Sequence, residues 1–204
     1  MNLLHIDSSI LGAGSVSRAL SAEIVDRIAK QNDNVVVTYR DLAAAPIPHL
    51  SGEYLGALQN SGGGHSPEIE ADLAIGAAVL QEFLAADTVV IGVGMYNFGM
   101  PTQLKAWIDR VLISGQTFRY TAEGQLEGLA GDKRIILAVA RGGYYAAGSP
   151  MAAWEHTESH IRTTLGFIGV TNPEVVWADG IAVGPDQRAA GVAAAQAQIA
   201  ALAA

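Results

Sequence analysis

The sequence lacks cysteine altogether and carries few charges. Without cysteine the chain can form no disulfide, no thiolate metal site and no cysteine nucleophile. Charged residues make up 16% of the 204 residues, the formal net charge is −8, and lysine and arginine nowhere cluster. An acidic chain without a basic patch is a poor partner for a phosphate backbone, so we expect no binding of nucleic acid.

Long hydrophobic runs are absent as well, since no apolar stretch reaches the roughly 18 residues that a membrane-spanning helix needs. The N-terminal segment MNLLHIDSSI has no basic leader and contains Asp7, which is atypical of a signal peptide. We therefore expect no membrane partner and a cytoplasmic location. Hydrophobic residues form 50% of the chain and no shift in composition divides it, which predicts a single domain over residues 1–204.

Five short apolar runs, rich in β-branched residues, recur along the chain. They cover residues 3–6, 35–39, 88–93, 134–140 and 174–178. Because the runs are continuous rather than alternating, they are typical of parallel strands covered on both faces. The pattern predicts a doubly wound α/β fold, with a five-stranded parallel sheet in the order 2-1-3-4-5 and helices on both faces.

Helical patterns lie between the apolar runs, and three of them begin at a proline in the first turn, a position that proline favours. These prolines are Pro67, Pro101 and Pro185. A further helix is predicted over residues 150–164. Two segments exceed this framework: residues 43–66 predict a long excursion, and residues 114–131 predict a hairpin-like insertion.

The loop after the first strand, DSSILGAGSVSRAL, brings three serines to the start of a helix. The carboxyl edge of an open α/β sheet is where ligands bind, and backbone N–H groups at a helix start favour a phosphate. Ser9, Ser15 and Ser17 could hold it, although plain helix capping is an alternative that stays open. The loop lacks the Walker motif, which disfavours nucleotide hydrolysis, and the Gly-x-Gly-x-x-Gly motif, which disfavours a dinucleotide site. The chain also lacks Gly-x-Ser-x-Gly, which disfavours a serine hydrolase.

The loop after the third strand, GMYNFGMP, groups four residues that suit a flat ring. A planar heteroaromatic ring needs apolar contact and backbone hydrogen bonds, and Met95, Tyr96, Asn97 and Phe98 can supply both. This composition fits an isoalloxazine ring. The alternative is that these aromatic side chains only close the edge of the core.

The loop after the fourth strand, ARGGYYAAGSP, contains two adjacent glycines. Gly142 and Gly143 let the main chain approach a ring closely, and Tyr144 and Tyr145 could cover the far side of that ring. An ordinary strand-to-helix turn is the alternative.

The combination of DSSILGAGSVSRAL, MYNFGMPTQLKAWID, GQTFRYTAEG, ARGGYY and TLGFIGV resembles the FMN-dependent NADH:quinone oxidoreductase and azoreductase family of homodimeric, flavodoxin-like enzymes. The resemblance extends over nearly the full length, and MYNF followed by P-x-Q-L-K and TF-x-Y is highly specific as a series. It implies a flavodoxin-like α/β fold, FMN as cofactor, NADH or NADPH as electron donor, and a homodimer.

The resemblance also implies roles for individual residues. The residues expected to bind the cofactor are Ser9, Ser15, Val16, Ser17, Met95, Tyr96, Asn97, Phe98, Ala140, Arg141, Gly142 and Gly143. The residues expected to contact the substrate are Asn97, Tyr120, Tyr144 and Phe167. Of these, Tyr120 and Phe167 are expected to reach a pocket at a dimer interface. Many relatives have serine where this chain has Ala140, so one side-chain hydrogen bond to the flavin is expected to be missing.

The implied reaction is a ping-pong transfer of two electrons from NADH or NADPH, through the flavin, to a quinone or an azo compound. The flavin carries this chemistry, so we expect no catalytic side chain and no metal. His156 and His160 are four residues apart, but they lack the His-Glu-x-x-His pattern, and a solvated helix face is the preferred interpretation. The alternative function is a flavodoxin-type FMN electron carrier without a small-molecule substrate. The preferred nicotinamide and the physiological acceptor stay open.

Overall fold

Strands and helices alternate along the chain in the computed structural model, which describes residues 1–60 and 62–203. The strands are β1 (Asn2–Asp7), β2 (Val36–Asp41), β3 (Thr88–Gly94), β4 (Phe118–Tyr120), β5 (Leu126–Gly128), β6 (Arg134–Ala140) and β7 (Glu174–Ala178). The α-helices are α1 (Val16–Gln31), α2 (Gly52–Gln59), α3 (Pro67–Ala85), α4 (Thr102–Val111), α5 (Thr157–Phe167) and α6 (Pro185–Ala201).

A five-stranded parallel sheet forms the centre of the fold, in the order β2-β1-β3-β6-β7. Numbered among themselves these strands follow 2-1-3-4-5, so the predicted sheet and its order are confirmed. The direction of strand order reverses between β1 and β3, where the connections leave to opposite sides and open a crevice at the carboxyl edge. The loops after β1, β3 and β6 meet at this edge.

Each face of the sheet is covered by its own apolar cluster. Helices α1 and α6 pack on one face, over side chains such as Leu3, Val90 and Ile136. Helices α3, α4 and α5 pack on the other face, where the rings of Phe83 and Trp107 meet edge to face at 5.8 Å. Burying each such large side chain stabilises the fold by about 1.5–3 kcal/mol. Since side chains alternate along a strand, Asp7 shares the α1 face with Leu3.

The expectation that all five strands are covered on both faces is wrong for β2. Val36 is 61% exposed and Val37 is 43% exposed. Strand β2 lies at the edge of the sheet and pairs only with β1 among the described residues. An apolar run therefore does not by itself reveal how far the neighbouring helices extend over an edge strand.

The predicted helix over residues 150–164 is also wrong in its bounds. Residues Ala152–Trp154 form a separate 3₁₀ turn, and α5 begins only at Thr157. The carboxylate of Glu155 accepts the backbone N–H groups of Thr157 and Glu158, at 3.0 and 2.9 Å, and so caps α5 from inside the predicted helix. The helix continues to Phe167, three residues past the predicted end.

The two segments outside the basic framework have different structures. The excursion over residues 43–66 contains α2, a helix that the sequence did not predict. The insertion over residues 114–131 forms an antiparallel pair of β4 and β5, as predicted. Ser66 accepts the N–H of Ile69 with Pro67 in the first turn of α3, so the predicted start of that helix is confirmed.

Candidate functional site

The serine corner, which we define as Ser9, Ser15, Val16 and Ser17, lies between the end of β1 and the start of α1. Ser15 is the N-cap of α1, and its Oγ accepts the N–H of Arg18 at 3.3 Å. The hydroxyls of Ser15 and Ser17 lie 3.1 Å apart, and both side chains are buried. The backbone N–H groups of Val16 and Ser17 are in the first helical turn and have no intrahelical acceptor. Two hydroxyls and two N–H donors therefore meet at one helix terminus.

The loop that forms this corner is anchored at its base and exposed at its tip. The hydroxyl of Ser8 donates to the carbonyl of Gly92 on β3, at 2.8 Å. Ile10 and Leu11 at the tip are 60% and 61% exposed. Gly12 has a φ of 53°, a left-handed conformation that glycine adopts without strain, and it starts the short 3₁₀ turn Gly12–Gly14. The anchored ends hold the serines while the tip stays open to solvent.

Tyr96 links the loop after β3 to the serine corner. Its hydroxyl and the Ser9 hydroxyl share a hydrogen bond of 2.8 Å. The Tyr96 ring crosses Gly94, where a Cβ atom would lie only 3.2 Å from the ring. Glycine at this position therefore permits the tyrosine to reach Ser9, and the loops after β1 and β3 form one wall.

The quartet from Met95 to Phe98 contains a strained turn. Asn97 and Phe98 have φ angles of 47° and 72°, and the N–H groups of Tyr96 and Gly99 each donate to the other residue's carbonyl, at 2.9 and 3.0 Å. This is a two-residue hairpin turn in which both central residues are left-handed, a conformation that costs about 1–3 kcal/mol for a bulky residue such as phenylalanine. In residues 1–60 and 62–203 the N–H groups of Asn97 and Phe98 have no protein acceptor. The turn thus leaves two main-chain donors available to a ligand.

The Arg-Gly-Gly turn after β6 also offers main chain. The Arg141 guanidinium is buried and binds the Asp179 carboxylate through two hydrogen bonds, at 2.6 and 3.0 Å. The carbonyls of Gly142 and Gly143 accept N–H groups from the segment 180–182, whereas their own N–H groups have no acceptor within the described residues. A ligand at this turn would meet the backbone of the glycines and not the Arg141 side chain.

Ala140 retains a backbone role despite its small side chain. Its carbonyl accepts the N–H of Met95 at 2.9 Å, which ties the loops after β3 and β6 together. The alanine side chain has no hydroxyl to donate or accept a hydrogen bond, but the main-chain tie is present.

Aromatic side chains from the segment after β6 cover the strained turn. The Phe98 ring lies 5.6 Å from Trp154 and 6.4 Å from Tyr145, both edge to face. The N–H of His156 donates to the Phe98 carbonyl at 3.1 Å. Trp154 was not anticipated from the sequence, because it lay in a segment predicted as helix. The Tyr144 ring instead packs against Gly180, so Tyr145 and not Tyr144 is the tyrosine next to Phe98.

Two of the predicted substrate residues lie at the opposite edge of the sheet from the serine corner. The rings of Tyr120 and Phe167 both contact Phe118, at 6.1 and 4.7 Å. Phe167 ends α5 just before β7 begins, which puts this aromatic group at the amino edge of the sheet. Strands of five to seven residues span about 16–23 Å, so the two aromatic residues and the serine corner lie at opposite edges within one chain.

A charged network lies beneath the serine corner. Asp7 is 3% exposed, and its carboxylate accepts the hydroxyls of Ser21 and Tyr39 at 2.8 and 3.1 Å. Arg18 forms a two-pronged ion pair with Asp41, at 2.6 and 2.7 Å. The hydrogen bond from Arg18 lowers the pKa of Asp41 from 3.8 to about 2. Burial, followed by the charge of Asp7, raises the pKa of Tyr39 to about 12.

Clefts adjoin the site on two sides. One of about 370 Å³ lies beside the serine corner and is lined by residues that include Gly12, Ser15 and Tyr39. A wider cleft of about 990 Å³ lies between α5, α6 and the segment after β6, and Trp177 and Tyr144 are among its lining residues. Only the first was anticipated from the sequence, because the second depends on how α5 and α6 pack.

The described residues contain no group of three or more His, Asp or Glu side chains that could hold a metal ion. In the same part of the chain, none of the helices combines the length and the apolar character required to span a membrane.

Comparison with known proteins identifies the family. A family model described as a flavodoxin-like fold matches residues 1–203. A protein from Xanthomonas campestris pv. campestris, named FMN-dependent NADH:quinone oxidoreductase, is 64% identical over 202 residues, which is 99% of each chain. The chain belongs to this flavodoxin-like family.

Two further proteins similar to this chain agree with this result. FMN-dependent NADH:quinone oxidoreductase 2 from Bradyrhizobium diazoefficiens is 58% identical over 189 residues, covering 92% of each chain. The crystal structure of an azoreductase from Bacillus anthracis str. Sterne superposes with a TM-score of 0.88 at 29% identity, covering 98% of each chain. The flavodoxin-like α/β fold and the family resemblance inferred from the sequence are thereby confirmed.

Proposed function

We propose that this chain is an FMN-dependent oxidoreductase that transfers two electrons from NADH to quinones and azo compounds by a ping-pong mechanism. The observation that carries the proposal is that the serine corner and three N–H groups without a protein acceptor among the described residues, those of Asn97, Gly142 and Gly143, belong to loops at one edge of the sheet. The relatives named FMN-dependent NADH:quinone oxidoreductase and the azoreductase structure support the same activity.

The serine corner fits the anionic end of FMN. A phosphate needs several hydrogen-bond donors, and the hydroxyls of Ser15 and Ser17 with the N–H groups of Val16 and Ser17 supply four at the positive end of α1. No lysine or arginine is required for this binding. Ser9 would complete the corner towards the ribityl chain, with Tyr96 holding its hydroxyl in place.

The second and third loops fit the ring of FMN. The carbonyls and ring nitrogens of an isoalloxazine would accept the N–H groups of Asn97, Gly142 and Gly143. Bound FMN would supply the two-electron chemistry between the nicotinamide and the second substrate. The protein contributes position, main-chain donors near the reduced ring, and exclusion of water by Phe98, Tyr145 and Trp154. Neither a side-chain nucleophile nor a metal takes part.

The substrate pocket requires a homodimer in this proposal. Tyr120 is 60% exposed and lies with Phe167 at the amino edge, so these rings would reach a flavin only from a second copy of the chain. Exposed apolar side chains on α2 and α3, among them Leu55, Leu58 and Ile75, offer area for such an assembly. We also propose that the chain acts as a single domain in the cytoplasm, which the absence of cysteine supports.

The homodimer is tested by complementation. Chains carrying Ser15→Ala with Ser17→Ala are co-expressed with chains carrying Tyr120→Ala. A mixed dimer would contain one site with an intact serine corner and an intact partner tyrosine, so activity should reappear relative to either variant alone. A monomer in solution, or mixed dimers no more active than their parents, would contradict this part of the proposal.

The function is tested on the purified full-length chain. It should be yellow or become yellow with FMN, and it should oxidise NADH rapidly only when a quinone or an azo dye is present. A protein that FMN cannot reconstitute would exclude both this function and the flavodoxin-type carrier. A protein that holds FMN but is not reduced by NADH or NADPH would favour the carrier. Steady-state rates with both nicotinamides and a panel of acceptors would define the preference.

A further inference from the structure

Arg18 is in an unfavourable place for a cation. It lies in the first turn of α1, where the positive end of the helix dipole disfavours Lys and Arg, and this turn contains no acidic residue. The side chain is only 15% exposed. A partly buried arginine in such a place needs strong partners, and the partners of Arg18 all lie around the serine corner.

The first partner is the backbone of the serine corner itself. The Nε and Nη2 groups of Arg18 both donate to the carbonyl of Ser9, at 3.0 and 2.8 Å. The same guanidinium binds both carboxylate oxygens of Asp41 at the end of β2. Asp41 is in turn fixed by the N–H groups of Ala43 and Ala44, at 2.9 and 3.1 Å. Arg18 therefore ties the loop after β1 to the rigid turn after β2.

The second partner is the buried carboxylate of Asp7. An Arg18 nitrogen lies 3.8 Å from Asp7 Oδ2, and His5 Nε2 lies 3.7 Å from the same oxygen. A phosphate bound in the serine corner would be repelled by the Asp7 charge at the base of the loop. Arg18 remains charged at every physiological pH, so its positive charge offsets part of this repulsion throughout that range.

We infer that Arg18 is a positioning residue for FMN: it holds the Ser9 carbonyl and offsets part of the negative charge of Asp7, so that the serine corner is preformed for a phosphate. The inference rests on the proposed function. Arg18 does not touch the phosphate in this scheme; it removes the cost of ordering an exposed loop during binding. The residue that selects a phosphorylated flavin thus lies one position outside the residues that would contact it.

The test compares FMN with riboflavin, which lacks only the phosphate. Both are titrated into the flavin-free full-length chain by quenching of flavin fluorescence. Arg18→Gln should raise the Kd of FMN by about tenfold or more and the Kd of riboflavin by less than about twofold. The ratio of the two affinities therefore falls, a change that general destabilisation would not produce.

Arg40→Gln is the matched control. Arg40 lies on β2, is 19% exposed, and forms the same kind of two-pronged ion pair, with Glu82 of α3 and away from the serine corner. Its loss should leave the ratio of FMN to riboflavin affinity unchanged. Equal effects of the Arg18 and Arg40 variants on this ratio would overturn the inference.

Two milder variants keep the test decisive if Arg18→Gln does not fold. Arg18→Lys retains the positive charge near Asp7 but not the two-pronged hydrogen bonding to Asp41, and it should partially lower the ratio of FMN to riboflavin affinity. Asp41→Asn removes the anchor of Arg18 and should lower the ratio as well. A wild-type ratio in every folded variant overturns the inference while leaving the proposed function intact. A wild-type chain that binds no flavin overturns both.

Discussion

Removing the Ser15 and Ser17 hydroxyls one at a time distinguishes a phosphate site from a plain helix cap. Ser15 caps α1 and lies beside the Ser17 hydroxyl, whereas Ser17 caps nothing among the described residues. Loss of a serine cap costs about 0.5–2 kcal/mol, so Ser15→Ala should lower the free energy of unfolding by about 1 kcal/mol. Ser17→Ala should have a smaller effect on stability, because it removes only the hydrogen bond to Ser15.

The effect on FMN binding should follow a different order. A hydrogen bond to a charged group contributes about 1.5–3 kcal/mol, which corresponds to about 10- to 150-fold in affinity. Each single substitution should therefore weaken FMN binding by at least about tenfold, although only Ser15→Ala removes a cap. Urea unfolding of the flavin-free chain gives the stability, and fluorescence titration gives the Kd of FMN.

Ser66→Ala is the control for the capping term. Ser66 caps α3 through the N–H of Ile69 at 3.4 Å, far along the chain from the serine corner. Its substitution should lower stability by about the same 1 kcal/mol and leave the Kd of FMN unchanged. If Ser15→Ala loses stability but neither Ser15→Ala nor Ser17→Ala changes FMN affinity, the serines only cap the helix and the reasoning is refuted.

Three further predictions concern the surroundings of the serine corner. Gly92→Ala should lower the free energy of unfolding in urea by about 1–3 kcal/mol, because the Cβ of the new alanine would lie against the Asp7 carboxylate. A loss below about 0.5 kcal/mol would contradict this packing. The hydrogen bond from Arg18 lowers the pKa of Asp41 from 3.8 to about 2. Asp41 therefore contributes about 2 kcal/mol to the free energy of unfolding above about pH 4, and this contribution is lost as the pH falls towards 2. Urea unfolding at a series of pH values should show this loss in the wild type and not in Asp41→Asn. Tyr96→Phe removes the 2.8 Å hydrogen bond to Ser9 and should weaken FMN binding by about two- to tenfold in the fluorescence titration. An unchanged Kd of FMN would show that this hydrogen bond plays no part in binding.

Much of the fold follows from local patterns that are complete within short stretches of chain. The five apolar runs became the five strands of the parallel sheet, and Ser66 with Pro67 marked the start of α3. Local patterns failed where distant packing decides. Val36 resembles a buried strand residue but is 61% exposed on the edge strand. The start of α5 at Thr157 was missed because the Glu155 carboxylate caps the helix from a position that is typical of a helix interior.

By itself the sequence determined the five strands, the motifs in the loops that follow three of them and the family to which the chain belongs, because each is encoded in residues close together in the chain. Only the tertiary structure decided what those loops contact. It joined Arg18 to Asp41 across 23 positions and put Trp154 against Phe98. It also separated Tyr120 from the serine corner by the length of the sheet. These relations arise from packing between elements far apart in the chain, and no periodicity within a single segment encodes them.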